Sequence, residues 1–464
     1  MSDSTTPATT GSARSERLAG VVGASLIGTT IEWYDFFLYT LASATIFAPL
    51  FFPDSDPLTG TLLSFLTYTI GFAARPIGAL VFGHYGDRIG RKKLLILSLV
   101  MMGGATTLIG CIPTYSTIGI AAPLLLTALR IVQGFALGGE WGGAVLLISE
   151  RGNPKRRGFW SSWPQGGAAL GFVLAAGALT VLTDVWGADT ILAYGWRIPF
   201  LLSAALLGTG LWMRLSIEES PVFQQALAEA DARKAEGVKE STPLLAVLRH
   251  HWRDVLVAMG VRIAENISFY VIGTFVITYC VAVLKLSQKT ALNAVLIAAT
   301  IEFALIPAFG ALSDRIGRKP VYLFGAIGMG VWAWPFFTLV GTKSFPMILL
   351  AVTVGLVFHA AMYGPQAAFV SELFGTRMRY SGASIGAQFA SLAAGAPAPL
   401  IAVALLKSYG SSTPISLYLT IASAITVITL LVAKETRGRD LTTITPTSGT
   451  RTAAPDTTPA AVEA

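Results

Sequence analysis

Charge is scarce in this sequence. Asp, Glu, Lys and Arg make up 13% of its 464 residues, about half the roughly 25% that soluble globular domains carry. Cysteine is scarcer still. Cys111 and Cys280 each sit in an apolar stretch, without a Cys-x-x-Cys or Cys/His spacing, so neither a disulfide framework nor a zinc site is suggested. No Gly-x-x-x-x-Gly-Lys-Ser/Thr loop occurs, which leaves no visible means of binding ATP. The first residues lack the apolar stretch and cleavage site of a secretory signal. What abounds is apolar: 53% hydrophobic residues, with 47 Gly and 10 Trp, both favoured in membrane helices and at their interfaces. An integral membrane protein follows, and an ordinary soluble enzyme is excluded.

Apolar runs long enough to cross about 30 Å of hydrocarbon fall at residues 20–48, 58–83, 93–113, 117–148, 158–184, 196–216, 253–282, 288–312, 320–341, 345–371, 380–406 and 413–433. They predict an all-α integral membrane fold of twelve transmembrane helices. The expected organisation is a disordered tail over 1–19, a six-helix bundle over 20–216, a linker over 217–252, a second bundle over 253–433 and a disordered tail over 434–464. With both termini placed on one side, the opposite loops hold only Arg197, Lys285, Lys289, Lys343 and Lys407, and Arg75, Arg130 and Arg262 fall inside spans. All other Lys and Arg lie on the side of the termini, which the positive-inside rule makes cytoplasmic. Net charge +7 thus reflects short loops flanking helices rather than a nucleic-acid surface.

The chain also repeats itself. Gly83-His-Tyr-Gly-Asp87-Arg88-Ile-Gly90-Arg91-Lys92 returns as Gly310-Ala-Leu-Ser-Asp314-Arg315-Ile-Gly317-Arg318-Lys319. Weaker echoes pair Glu32-x-x-x-Phe36 with Glu265-x-x-x-Phe269, Glu150 with Glu372, and Glu218 with Glu435. Six helices per copy keep both halves in the same orientation, and such halves place a shared site between them near the midplane.

The doubled Asp-Arg-x-Gly-Arg-Lys loop resembles the signature of the major facilitator superfamily. Within it, Glu32-Trp-Tyr-Asp35-Phe, Phe72-Ala-Ala-Arg75-Pro76-Ile-Gly78, Arg130-Ile-Val-Gln133-Gly134-Phe and Gly138-Gly139-Glu140-Trp141-Gly142-Gly143 are similar to the metabolite:proton symporter family. The resemblance covers roughly residues 18–437, with Glu32 where that family carries Asp. It implies a bacterial inner-membrane carrier for organic acids such as shikimate, α-ketoglutarate and citrate, or for zwitterions such as proline and betaine. The wording is closest to the shikimate type.

Charges inside a bilayer are costly and usually serve function. On span 1, Glu32, Asp35 and Tyr39 share one helical face, and Asp35, then Glu32, are the expected proton carriers. Arg130, with Gln133, is expected to neutralise Asp35 or to hold a substrate carboxylate; Arg75 is expected to take a substrate carboxylate. In the second half, Arg262, Glu265 and Asn266 cluster on span 7, with Glu265 a further proton-coupling candidate. Glu302 has no charged neighbour at helical spacing, which predicts a protonated or cross-paired group rather than a second proton carrier. Tyr39, Trp163, Gln165, Tyr270, Tyr363, Gln366 and Gln388 are candidate cavity residues, and His84 and His359 are read as structural. Asp87, Arg88, Arg91, Glu150, Asp314, Arg315 and Glu372 are expected to gate, with Arg88 pairing Glu150 and Arg315 pairing Glu372.

Gly382-Ala-Ser384-Ile-Gly386 fits a hydrolase pattern only in letters, since that pattern needs a strand-to-helix turn. Asn266-Ile-Ser268 is a glycosylation sequon buried mid-span. The sequence therefore predicts a monomeric carrier importing a small organic acid with protons, in contact with lipid, with no cofactor or metal and the proton as coupling ion. Alternatives are a zwitterion symporter, which the Thr/Ala/Pro-rich carboxyl end without heptads disfavours, and a transport-dead sensor on the same fold.

Overall fold

A computed structural model describes residues 10–89, 91–138, 154–216, 252–373 and 386–439. The expected linker, both chain ends and the loop with Glu150 lie outside these residues. So do the side chains of His84, Asp87, Arg88 and Arg91.

Among the described residues the chain is helical. Twelve long elements are α1 (Thr10–Thr45), α2 (Pro57–Ile89), α3 (Arg91–Cys111), α4 (Ala121–Leu137), α5 (Arg157–Thr190), α6 (Arg197–Ser216), α7 (Trp252–Val283) and α8 (Gln288–Ile316), α9 (Arg318–Gly341), α10 (Phe345–Leu373), α11 (Gly386–Tyr409) and α12 (Thr413–Val432). Eight are long and apolar enough to cross a membrane, and three more hold shorter apolar stretches. The helix α1 starts at Thr10 rather than near residue 20, so part of the expected tail is helical. Large apolar side chains such as Val432, Trp212 and Ile120 stay exposed. In a bilayer that is the lipid-facing surface, because lipid tails are as apolar as the side chains themselves.

Local chemistry sets the helix ends. Ser287 caps α8 by accepting from the Thr290 amide at 3.1 Å; Gly410 closes α11 in the left-handed conformation that glycine adopts without strain. The helix α7 relaxes into π-turns at Val271–Phe275 and Tyr279–Val283, and α11 into one at Ser391–Gly395. Such turns recur at functional sites in helices.

Packing repeats as the sequence does. In the first half α1 packs on α5, α2 on α4, and α3 on both α4 and α6; in the second, α7 packs on α11, α8 on α10, and α9 on both α10 and α12. The two halves meet through α5 against α8 and α10, and through α2 against α11. At the meeting surface lies an aromatic core in which Phe37 packs against Phe172 and Phe269, and Tyr68 against Tyr270.

Candidate functional site

Among the described residues, a cavity lies between the halves. The first half lines it with Trp33, Phe37, Phe72, Arg75, Ala168 and Ala169; the second contributes Arg262, Glu265, Asn266, Phe269, Tyr270, Glu302, Ile306, His359, Tyr363, Ala387, Gln388 and Ser391. Of the residues expected to bind substrate, Arg75, Arg262, Asn266, Tyr270, Tyr363 and Gln388 therefore do meet at one place.

Arg75 enters from α2, its guanidinium 3.7 Å from the Phe72 ring centre and 5.0 Å from that of Phe36. Its Nε is buried without a hydrogen-bond partner, and no carboxylate pairs with it among the described residues. Aromatic faces attract a guanidinium through their quadrupole but do not cancel its charge. A positive charge is thus held at the cavity wall, available to an anion.

Arg130 behaves differently. It is buried behind the wall over the rings of Tyr39 (4.3 Å), Tyr68 (4.9 Å) and Phe36 (5.1 Å), and its Nη1 donates to Gln133 Oε1 at 2.9 Å. Gln133 Nε2 donates in turn to Thr106 Oγ1 at 2.7 Å. The expected direct neutralisation of Asp35 by Arg130 is replaced by this chain, because Asp35 points towards α3 and α6. There it accepts a 2.6 Å bond from Ser203 Oγ, with the Thr106 hydroxyl also in reach. Asp35, Arg130, Gln133 and Tyr39, the last bonded to Thr67 at 2.5 Å, form a polar layer inside the first half and do not line the cavity. Glu32 is partly buried on the same helix.

In the second half Glu265 is the hub. Gln366 Nε2 donates to Glu265 Oε2 at 2.8 Å, Asn266 Nδ2 at 3.0 Å, and Arg262 Nε lies 3.9 Å away. Gln366 also takes part in a 3.3 Å bond from Gln165 Nε2 that crosses the halves, so these two glutamines tie the halves together behind Glu265 and do not line the cavity. Trp163 packs beside them on Phe159 and Phe303.

His359, expected to be structural, is instead a cavity residue. Its Nδ1 bonds Glu302, and its Nε2 stands 3.5 Å from Glu265 Oε1. Glu302 is thereby paired across helices, one of its two expected states. Helical spacing could not reveal the dyad, because the partners sit on α8 and α10; the available signal was a histidine inside an apolar span.

Beyond the cavity, on the face carrying the basic loops, a buried lock joins the halves. Asp314 accepts from the Gly158 and Phe159 amides at 2.8 and 2.9 Å, where the amino-terminal end of α5 favours negative charge. Glu372 is held by Arg157 at 2.9 Å and Arg318 at 3.3 Å, and by the Thr436 hydroxyl at 2.7 Å. The expected Arg315–Glu372 pair is corrected here: Arg315 is exposed. Gly317, at φ +107°, turns the chain sharply between α8 and α9, so it is Arg318 that folds back onto Asp314 at 2.6 Å and Glu372. The corresponding first-half pair, Arg88 with Glu150, lies outside the described residues.

Two parallel six-helix halves with buried ionisable groups in a cavity between them define a membrane transporter. The chain belongs to the Major Facilitator Superfamily, whose model matches residues 36–399. It is 39% identical to the inner membrane metabolite transport protein YhjE of Escherichia coli (strain K12), over 91% of this chain and 95% of that protein. It is 37% identical to the shikimate transporter of the same organism, over 89% and 94%, and 34% identical to the glycine betaine/proline/ectoine/pipecolic acid transporter OusA of Dickeya dadantii (strain 3937), over 93% and 86%. Its fold matches the xylose transporter XylE from E. coli in a partially occluded inward-open conformation, with TM-score 0.68 at 19% identity over 91% of this chain and 99% of that one. This is a multi-pass transporter of the bacterial inner membrane, not an enzyme.

Proposed function

We propose that this protein imports a small organic acid together with protons by alternating access, with both termini and the basic loops in the cytoplasm. The observation that carries the reading is Arg75, a guanidinium at the cavity wall that no carboxylate pairs with among the described residues. A carboxylate entering the cavity satisfies it, and the bidentate fork of arginine suits that group better than lysine does. The 37% identity to a shikimate transporter supports the same substrate class.

Proteoliposome uptake of labelled shikimate under an imposed pH gradient tests it. An inward proton gradient is expected to drive accumulation, and Arg75→Lys to weaken apparent affinity about tenfold, since a hydrogen bond to a charged group is worth about 1.5–3 kcal/mol. Shikimate methyl ester is expected not to compete; equal competition by the ester would remove the anion reading. A zwitterionic substrate is the second reading, because Glu265 and Glu302 line the same cavity as Arg75 and could receive a cationic group. Proline and glycine betaine run in parallel decide between them.

A further inference from the structure

The cavity holds more ionisable groups than substrate binding needs. His359 is 2% exposed and Glu302 1%, and both reach the cavity. Glu302 Oε2 and His359 Nε2 are buried atoms without a hydrogen-bond partner. Among the described residues, His359 is faced by Glu302 from α8, by Glu265 and the Phe269 ring from α7 and by the Tyr363 ring on α10 itself; Arg262 and Tyr270 from α7 line the same cavity, while Tyr322 from α9 and the neutral Gln165 from α5 reach Gln366 instead. A carboxylate and an imidazole in direct contact away from bulk water hold one proton between them at least cost, as imidazolium with carboxylate or as neutral imidazole with carboxylic acid.

We propose that Glu302 and His359 form the coupling site, taking up one proton with each substrate carboxylate. This rests on the proton-coupled reading above. Among the described residues, the charged groups lining the cavity are Arg75, Arg262, Glu265, Glu302 and, when protonated, His359. With the proton present, the lining carries one surplus positive charge, and a monocarboxylate neutralises it. Without the proton the lining is already neutral, and a carboxylate becomes an uncompensated buried anion, which is strongly disfavoured. Substrate and proton therefore enter as a pair. On the cytoplasmic side the carboxylate departs and the shared proton passes to water, leaving carboxylate Glu302 and neutral His359. The loaded cavity and the empty one carry the same net charge, so transport of a monocarboxylate is electroneutral. This places coupling on α8 and α10 rather than on Asp35, which faces away from the cavity.

Two measurements test it. In proteoliposomes with a pH difference of about one unit, the wild type is expected to accumulate shikimate about tenfold, one decade per pH unit for one proton, whether the membrane potential is clamped at zero or made inside-negative. Glu302→Gln fixes the loaded charge without a proton and is expected to bring accumulation down to about onefold. In weakly buffered detergent solution at alkaline pH, shikimate binding to the wild type is expected to take up one proton, and binding to Glu302→Gln none. If the wild type accumulates none of shikimate, proline or glycine betaine, the proposed function itself fails. If it accumulates shikimate and Glu302→Gln does so equally, the coupling site is overturned while the function stands. The coupling site is likewise overturned if Asp35→Asn abolishes accumulation and Glu302→Gln does not. Should Glu302→Gln fail to fold, the wild type alone decides, because binding without proton uptake, or accumulation that grows with membrane potential, excludes one proton per carboxylate at this site.

Discussion

Arg75 and Arg130 are both arginines inside spans, yet their surroundings give them different work. Arg75 lies on Phe72 and faces the cavity; Arg130 lies on Tyr39 and is tied through Gln133 and Thr106 to the region of Asp35. Arg130→Lys is therefore expected to act mainly on stability. It keeps the charge but loses the planar stack and the Gln133 bond, a loss of about 1–3 kcal/mol. Thermal unfolding of the detergent-solubilised protein should show a lower midpoint, with shikimate affinity less affected than by Arg75→Lys. The reverse ranking would put Arg130 in contact with substrate.

Between elements, small residues set how closely helices approach. A Cβ on Gly134 would lie 1.7 Å from the Gly71 carbonyl oxygen, and one on Gly71 would lie 2.6 Å from Arg130 Cγ, so α2 and α4 touch backbone to backbone. Gly134→Ala forces them apart and, since overpacking costs about 1–3 kcal/mol or more, should depress the unfolding midpoint at least as far as Arg130→Lys; no change would contradict the close approach. At the start of α9, Glu435 accepts from the amides of Arg318, Lys319, Thr436 and Arg437. Partial burial pushes its carboxyl up, but these four donors outweigh it and hold the group below the usual glutamate range. A depressed folded value means the contribution is complete above the ordinary pKa near 4.3 and fades as pH falls through the lowered one. Glu435→Gln should therefore lower the midpoint at neutral pH, and the gap to wild type should narrow on acidification below about pH 4.

At the scale of the whole molecule the described residues join the halves on both faces, by unlike means. The basic face is held by the buried Asp314, Arg157, Glu372 and Arg318 network. The opposite face is bridged by exposed pairs, Lys289 with Asp184 at 3.0 Å and Lys407 with Asp56 at 3.2 Å, and deeper within the spans a 3.0 Å bond from Thr69 Oγ1 to the Ala396 carbonyl also joins the halves. Exposed pairs contribute little and are screened by salt, whereas breaking a buried one is costly. Raised salt should favour opening of the opposite face, read as faster labelling of a cysteine placed there. Asp314→Asn should favour opening of the basic face about tenfold or more, the equivalent of losing a charge-assisted bond. Unchanged labelling in the variant would show that the lock does not set the equilibrium.

The sequence by itself determined the membrane environment, the doubled six-helix plan and the repeated Asp-Arg-x-Gly-Arg-Lys loop, because hydrocarbon thickness, loop charge and an internal repeat are properties of residue order. Arg75, Glu265 and Asn266 could be picked out on the same footing, as polar groups within apolar spans. What only the tertiary structure decided was which of these groups meet. Asp35 and Glu32 share a helix face in the sequence, but helix rotation turns Asp35 to Ser203 and away from the cavity. Glu302 and His359 lie 57 positions apart, beyond any helical periodicity, and become partners only because α8 packs on α10. Likewise Arg318 replaces Arg315 at Glu372 because the positive φ of Gly317 redirects the chain by a turn that the order of letters does not specify.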